Sequence, residues 1–423
     1  MVDYGEIKMN PSLFETDFLE ACNTRDLGLL TACLVQGLKV NKRLPNGLPP
    51  IVVCCQNRFT EAIPLLCEKG AVLDQSAQNT TALLEAVRNN DCTTVGILLT
   101  HGANPDLGTK VHLRPLMLAA RLGYSECARL LLEFKADVNA FDKYLWTALH
   151  EAARSGHVDC IQLLLAHGAD PLAGTKEYYG YDHFKSLKGF TPLHLASEAG
   201  NAHAVKALLE CTPADVATTG RETPLLLAGN VETARLLIAA GANIEAVSRT
   251  GVTPLNTAAL RGDLNVIRLL LESGANPNIS YLDAGPAVVS AVYPTTLPDT
   301  KANTELGADP DVPCVDRNAS VERSEAFAVP TDTRDKAAII KLLLEFGADI
   351  NMPCADSGAT ALHLALSAKD KKLVTFLLEH GARYGSLWNR RTEVDVARLL
   401  GEDELAELIL KYGPRMDTPM ERN

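Results

Sequence analysis

A residue that stops a helix recurs along this chain at a nearly constant interval. In order it reads Gly37, Gly70, Gly102, Lys135, Gly168, Thr212, Gly241, Gly274, Gly347, Gly381 and Gly413. Most steps are about 33 residues, and two spans, Gly168 to Gly241 and Gly274 to Gly347, are about 73. Each stop closes a short apolar run, such as Val158, Ile161, Leu163, Leu164 and Leu165 before Gly168. Glycine suits the position because a left-handed helix end costs a residue with a Cβ roughly 1 kcal/mol or more. Lys135 departs from the column, and its charge at a helix C-terminus offsets part of that cost. A strict period of this length leaves few folds open. Two short helices cannot bury an apolar face alone, so each unit must stack on its neighbours. The count is about eleven units. The first long span holds one further unit around Thr212, and the second holds one unit plus an insertion.

A second column marks the start of each first helix. It reads Thr191-Pro192-Leu193-His194-Leu195-Ala196, Thr223-Pro224-Leu225, Thr253-Pro254-Leu255 and Thr360-Ala361-Leu362-His363-Leu364-Ala365. Threonine caps the helix, and proline at its first position forfeits no intrahelical bond. With the recurring Leu-Leu-Leu strings before Gly-Ala, these residues resemble the ankyrin-repeat family over nearly the whole chain. The resemblance implies an all-α solenoid of stacked helix-turn-helix units with β-turn fingers. The fingers and first helices would line a concave side, and the second helices a convex one. It also implies that His150, His194 and His363 bond near their threonines as part of the scaffold. His150-Glu151 resembles the start of a metalloprotease motif, but Arg154 stands where the second histidine must be.

The expected organisation is an N-terminal extension (residues 1–12), one repeat array (13–413) and a disordered tail (414–423). The end units are degenerate, as caps that face solvent should be. Three irregularities interrupt the array. Residues 172–188 lengthen one finger by about eleven residues and concentrate Tyr178, Tyr179, Tyr181 and Phe184 in a chain only 5% aromatic. Residues 293–335 fall between the two helices of the ninth unit. They are acidic and poor in large apolar side chains, and are expected to be disordered. In the seventh unit Leu227-Ala228 meets Gly229-Asn230-Val231 directly, so nearly one turn is missing from the first helix. A local change in curvature or a soft joint near Gly229 is expected.

The residue before each capping threonine is expected to point outward at the finger tip. That column reads Leu48, Thr80, Leu113, Trp146, Phe190, Glu222, Val252 and Ala359. The expected partner-binding set is therefore Leu113, Tyr144, Trp146, Tyr178, Tyr179, Tyr181, Phe184, Phe190 and Val252, on loops that a rigid scaffold presents. The alternative is that these side chains pack on one another along the stack. Asn139 and Asn351, by the same family resemblance, look like substrates of asparaginyl hydroxylases. Amides that brace the fingers are the alternative there.

The net charge of −12 argues against nucleic acid or an anionic membrane as the main partner. No signal peptide or membrane-spanning run is visible. Eleven scattered cysteines without ligand spacing, Cys127 and Cys160 among them in one buried column, suit reduced thiols in cytoplasm or nucleus. No cofactor, metal or catalytic constellation is indicated, and a monomer is expected. The function expected is protein binding, as a scaffold or adaptor using the concave finger face. The alternatives are a substrate-recognition adaptor of a ubiquitin ligase, or an inhibitory or targeting subunit of an enzyme.

Overall fold

The structure, a computed structural model, describes residues 11–109, 113–176, 189–281, 285–292 and 335–412. These hold twenty-two helices and no strand beyond three isolated bridges. The chain divides into two compact units. One takes the described residues up to Lys176 with Thr191–Ala196 and Lys206–Cys211. The other takes Ser197–Val205 and the described residues from Thr212 onward, together with Gly189 and Phe190.

The first unit contains five complete helix pairs. They are Pro11–Thr24 with Leu27–Val35, Pro50–Gln56 with Ala62–Glu68, Ala82–Arg88 with Cys92–Thr100, Pro115–Leu122 with Ser125–Glu133, and Ala148–Ser155 with Val158–Ala166. The opening helix starts at Pro11, two residues before the expected start of the array. First helices pack on first helices, as Pro115–Leu122 does on Ala148–Ser155. Second helices pack on second helices, as Cys92–Thr100 does on Ser125–Glu133. Small residues make the close approach of first helices possible: Ala119, Ala120, Ala152 and Ala153 are fully buried. Larger core side chains come from both helices of a pair, Met117 and Leu149 from first helices and Leu131, Ile161 and Leu164 from second ones, all buried. Each such side chain contributes about 1.5–3 kcal/mol by leaving water.

The cap chemistry follows the sequence. The Thr147 N–H donates to His150 Nδ1 at 3.1 Å, and the same contact recurs from Thr191 to His194 at 3.2 Å. Both histidines are fully buried. Lys135 takes the left-handed conformation (φ 67°) and keeps the hydrogen bonds of a glycine end. Its N–H donates to Leu132 O at 3.0 Å and the Ala136 N–H to Leu131 O at 2.9 Å, as Gly168 and Ala169 do one repeat later.

The second unit contains Pro224–Leu227 with Val231–Ala239, Pro254–Arg261 with Leu264–Glu272, Ala287–Val292 with Lys336–Glu345, Ala361–Ser367 with Lys371–Glu379, and Glu393–Leu399 with Asp403–Tyr412. The residues of a further pair, Pro192–Glu198 and Ala202–Leu209, are divided between the two units. Ala287–Val292 packs on Lys336–Glu345, so the long insertion interrupts a helix pair. Its residues 293–334 lie outside the described residues, as do 1–10, 177–188 and 413–423.

The first helix of the seventh repeat is four residues long, as the missing turn requires. Three hydrogen bonds cross its joint. The Gly229 N–H donates to Ser197 O at 2.8 Å, and Arg261 Nη1 donates to Leu227 O at 3.0 Å and Ala228 O at 2.9 Å. A Cβ at Gly229 would lie 2.4 Å from Glu198 O, so only glycine admits this approach.

Candidate functional site

The finger that precedes Ala148–Ser155 is a short closed loop. Phe141 and Thr147 form a bridge, and the Asp142 N–H donates to Trp146 O at 2.9 Å. Asp142 Oδ1 accepts from the Tyr144 N–H at 2.8 Å and the Trp146 N–H at 2.9 Å, a side-chain-closed turn that aspartate favours. Leu145 is held at φ 63°. The Lys176 N–H donates to Tyr144 O at 2.9 Å, which ties this finger to the start of the next.

That geometry reverses part of the sequence expectation. Trp146 is 5% exposed, and Phe190 likewise. Leu48, Thr80 and Ala359 in the same column are buried too, while Leu113, Glu222 and Val252 are half-buried. The Trp146 side chain lies in the stack, 6.0 Å from the His150 ring and 5.5 Å from the Arg154 guanidinium. Trp146 and Phe190 are packing residues. Trp146→Ala is therefore expected to cost about 3 kcal/mol of stability. Calorimetry showing an unshifted melting transition would return Trp146 to the surface.

The outward positions are earlier in the loop. Phe141 is 54% exposed and Leu145 37%, with Tyr144 half-buried between them under Lys143 Nζ, 4.5 Å from the ring centre. Neither Phe141 nor Leu145 is among the binding residues expected from the sequence. The available signal was two large apolar residues, one just before Asp142 and one three residues after it, in a turn where small polar residues are usual. Tyr178, Tyr179, Tyr181 and Phe184 lie outside the described residues.

A ladder of side-chain amides and carboxylates connects successive fingers within each unit. Asn139 Nδ2 donates to Gly168 O at 3.1 Å, and its Oδ1 accepts from the Asp170 N–H at 2.8 Å. Asn351 repeats the pair with Gly381 O at 3.1 Å and the Arg383 N–H at 2.7 Å. Both side chains brace the next finger with donor and acceptor together. Leu172 occupies the position of Asn139 one repeat on. Its N–H donates to Asp170 Oδ1 as that of Asn139 does to Asp137, but its side chain has no amide to continue the ladder. It is 50% exposed.

Among the described residues no cluster of three or more His, Cys, Asp or Glu is placed to hold a metal ion. No helix there is long and apolar enough to cross a membrane.

Comparison with known proteins agrees with this architecture. The family model for ankyrin repeats, three copies to a match, fits residues 18–109, 86–175, 172–248, 193–281 and 329–419. The chain belongs to the ankyrin-repeat family. Among curated relatives it is 29% identical to human ankyrin repeat and SOCS box protein 16 over 242 residues, 54% of this chain and 44% of that protein. It is 27% identical to the ankyrin repeat protein YahD of Escherichia coli over 197 residues, 44% of this chain and 92% of the bacterial one. A third relative, the E3 ubiquitin-protein ligase XBAT31 of Arabidopsis thaliana, is 36% identical over 130 residues, 30% of this chain and 28% of the ligase. The chain thus spans less than half of the human and plant relatives. Ankyrin repeats are protein-interaction modules, and that much of the function follows from membership.

Proposed function

We propose that the chain is a binding scaffold that takes a partner protein on the fingers around Phe141, Tyr144, Leu145 and Leu172. The observation that carries this is the exposure of three large apolar side chains, 37–54%, on backbone that hydrogen bonds hold rigid. Apolar anchors on a pre-ordered loop lose little entropy on binding, which is what makes a few residues dominate an interface. Tyr178, Tyr179, Tyr181 and Phe184 stay in the proposal as partner-binding residues on the strength of the sequence. Leu113 and Val252 stay in the proposal as partly exposed tip residues of their own fingers, and the role is non-catalytic.

A second reading, substrate adaptor of a ubiquitin ligase, is supported by the likeness to XBAT31. One experiment serves both. Affinity purification with the wild-type chain, a Phe141→Ser/Leu145→Ser variant and a variant lacking residues 174–187 should yield partners that both variants lose. A purified partner should bind the double variant at least tenfold more weakly, about 1.4 kcal/mol, with the melting temperature unchanged. Ligase components among the lost proteins would select the adaptor reading. Equal recovery by all three chains would remove this surface from the function.

A further inference from the structure

The sulfurs of Cys92 and Cys127 stand 2.8 Å apart. A formed disulfide is ~2.05 Å long. The other paired thiols, Cys22 and Cys54, are 3.5 Å apart. Cys92 opens the second helix of the third repeat, and Cys127 is the third residue of the second helix of the fourth, two helices that pack on each other. Asn90 Oδ1 lies 3.8 Å from Cys92 Sγ and 3.4 Å from Cys127 Sγ, so one amide oxygen holds both thiols toward the same point. Their accessibility differs. Cys92 is half-buried, whereas Cys127, Cys22 and Cys54 are fully buried.

We propose that Cys92 and Cys127 form a reversible disulfide when the protein meets a hydroperoxide, linking the third and fourth repeats. Cys92 reacts first because it alone of the four is reachable from solvent. Its thiolate attacks an oxygen of the hydroperoxide, the O–O bond breaks, and the departing alkoxide leaves as an alcohol after taking a proton. The Cys92 sulfenic acid then meets Cys127 Sγ. An S–S bond forms as the S–O bond breaks, and hydroxide leaves with the Cys127 proton as water. Two thiols and one hydroperoxide thus give one disulfide, one alcohol and one water. Burial, and then the hydrogen bond to Cys92, hold the Cys127 thiol well above its ordinary pKa. It therefore stays protonated and inert until the sulfenic acid is beside it.

The bond would close a loop between positions 35 residues apart and pin two helices that separate when the stack opens. The full-length reduced chain, treated with hydrogen peroxide, alkylated and cut with trypsin, should yield peptide 89–110 joined to peptide 122–129. That species should be the main disulfide, with no Cys22–Cys54 link. Oxidation should raise the melting temperature by about 5 °C, and dithiothreitol should reverse the shift. Cys92→Ser, at a position that tolerates water, should abolish both the peptide and the shift. Cys92 found as sulfinic acid without the linked peptide would overturn the proposal. So would a thermal shift that persists in Cys92→Ser.

Discussion

At pH 8 the Glu393→Gln variant should be more stable than the wild-type chain by about 3 kcal/mol, and at pH 4.5 the two should be alike. Glu393 is fully buried in the first helix of the last repeat. Its Oε2 accepts from the Gly385 N–H at 2.8 Å, while Oε1 lies 3.3 Å from Thr360 Oγ1 and 3.3 Å from His363 Nδ1. His363, also fully buried, accepts at that same Nδ1 from the Thr360 N–H at 3.2 Å. An imidazole nitrogen that accepts carries no proton, so Nδ1 brings no positive charge to the carboxyl and leaves the neutral form of Glu393 favoured. Burial agrees. It pushes Glu393 up to about 7 against the opposing bonds from backbone and Thr360, and pushes His363 down to about 3.

The signs follow from linkage. The folded pKa of Glu393 is raised, so its favourable contribution is complete below 4.5 and is lost as pH rises through about 7. The gap corresponds to about 3 kcal/mol. The folded pKa of His363 is depressed, so its contribution is complete above 6.5 and is lost as pH falls toward about 3. Between 4.5 and 6.5 the unfolded chain protonates the histidine and the folded chain the glutamate, so wild-type stability is nearly flat. Glutamine removes one half of that exchange. Its amide can donate to His363 Nδ1 and accept from Gly385, and the variant should then weaken steadily as pH drops below 6.5. Hydrogen exchange of amides 360–400 is the appropriate readout, because repeat arrays open locally. A variant no more stable than wild type at pH 8 would show that Glu393 is not held neutral.

Much of the scaffold was legible because it is periodic. The helix stops at Gly168 and Lys135, the caps at Thr147 and Thr360 and the missing turn at Gly229 each depend on a few neighbouring residues. Side-chain direction at the finger tips was not legible in the same way. Trp146 and Leu145 are adjacent in a turn, and Trp146 is the one placed against His150 and Arg154 of the helix that follows. The buried Glu393 was hidden for a related reason. The nearby Asp403 and Glu404 do lie toward solvent, and nothing local separates it from them. What separates it is Thr360 and His363 of the preceding repeat, some thirty residues away.

Arg261→Ala should cost about 3 kcal/mol in the seventh repeat and should leave the first five repeats unchanged. Stopping a helix after Leu227 strands the carbonyls of Leu227 and Ala228, which a further turn would have paired. Arg261, on the first helix of the next repeat, bonds both through Nη1 at 3.0 and 2.9 Å, although burial makes its charge less favourable and lowers its pKa. Hydrogen bonds from a charged donor contribute about 1.5–3 kcal/mol each. A cavity of about 240 Å³ beside Leu226, Ala228, Pro254 and Arg261 offers water a route to the freed carbonyls, which keeps the expected cost at the lower end of the sum. Arg261→Lys should fall between, since the ammonium sits on a shorter stem and its rotating donors are not fixed toward the two carbonyls as the planar guanidinium is. The decisive amide is that of Gly229, bonded to Ser197 O. In wild type it should exchange as slowly as the amides around Leu163, and in Arg261→Ala about a hundredfold faster. Rapid exchange already in the wild-type chain would mean that the truncated helix is a soft joint, and that Arg261 fills space there without holding it closed.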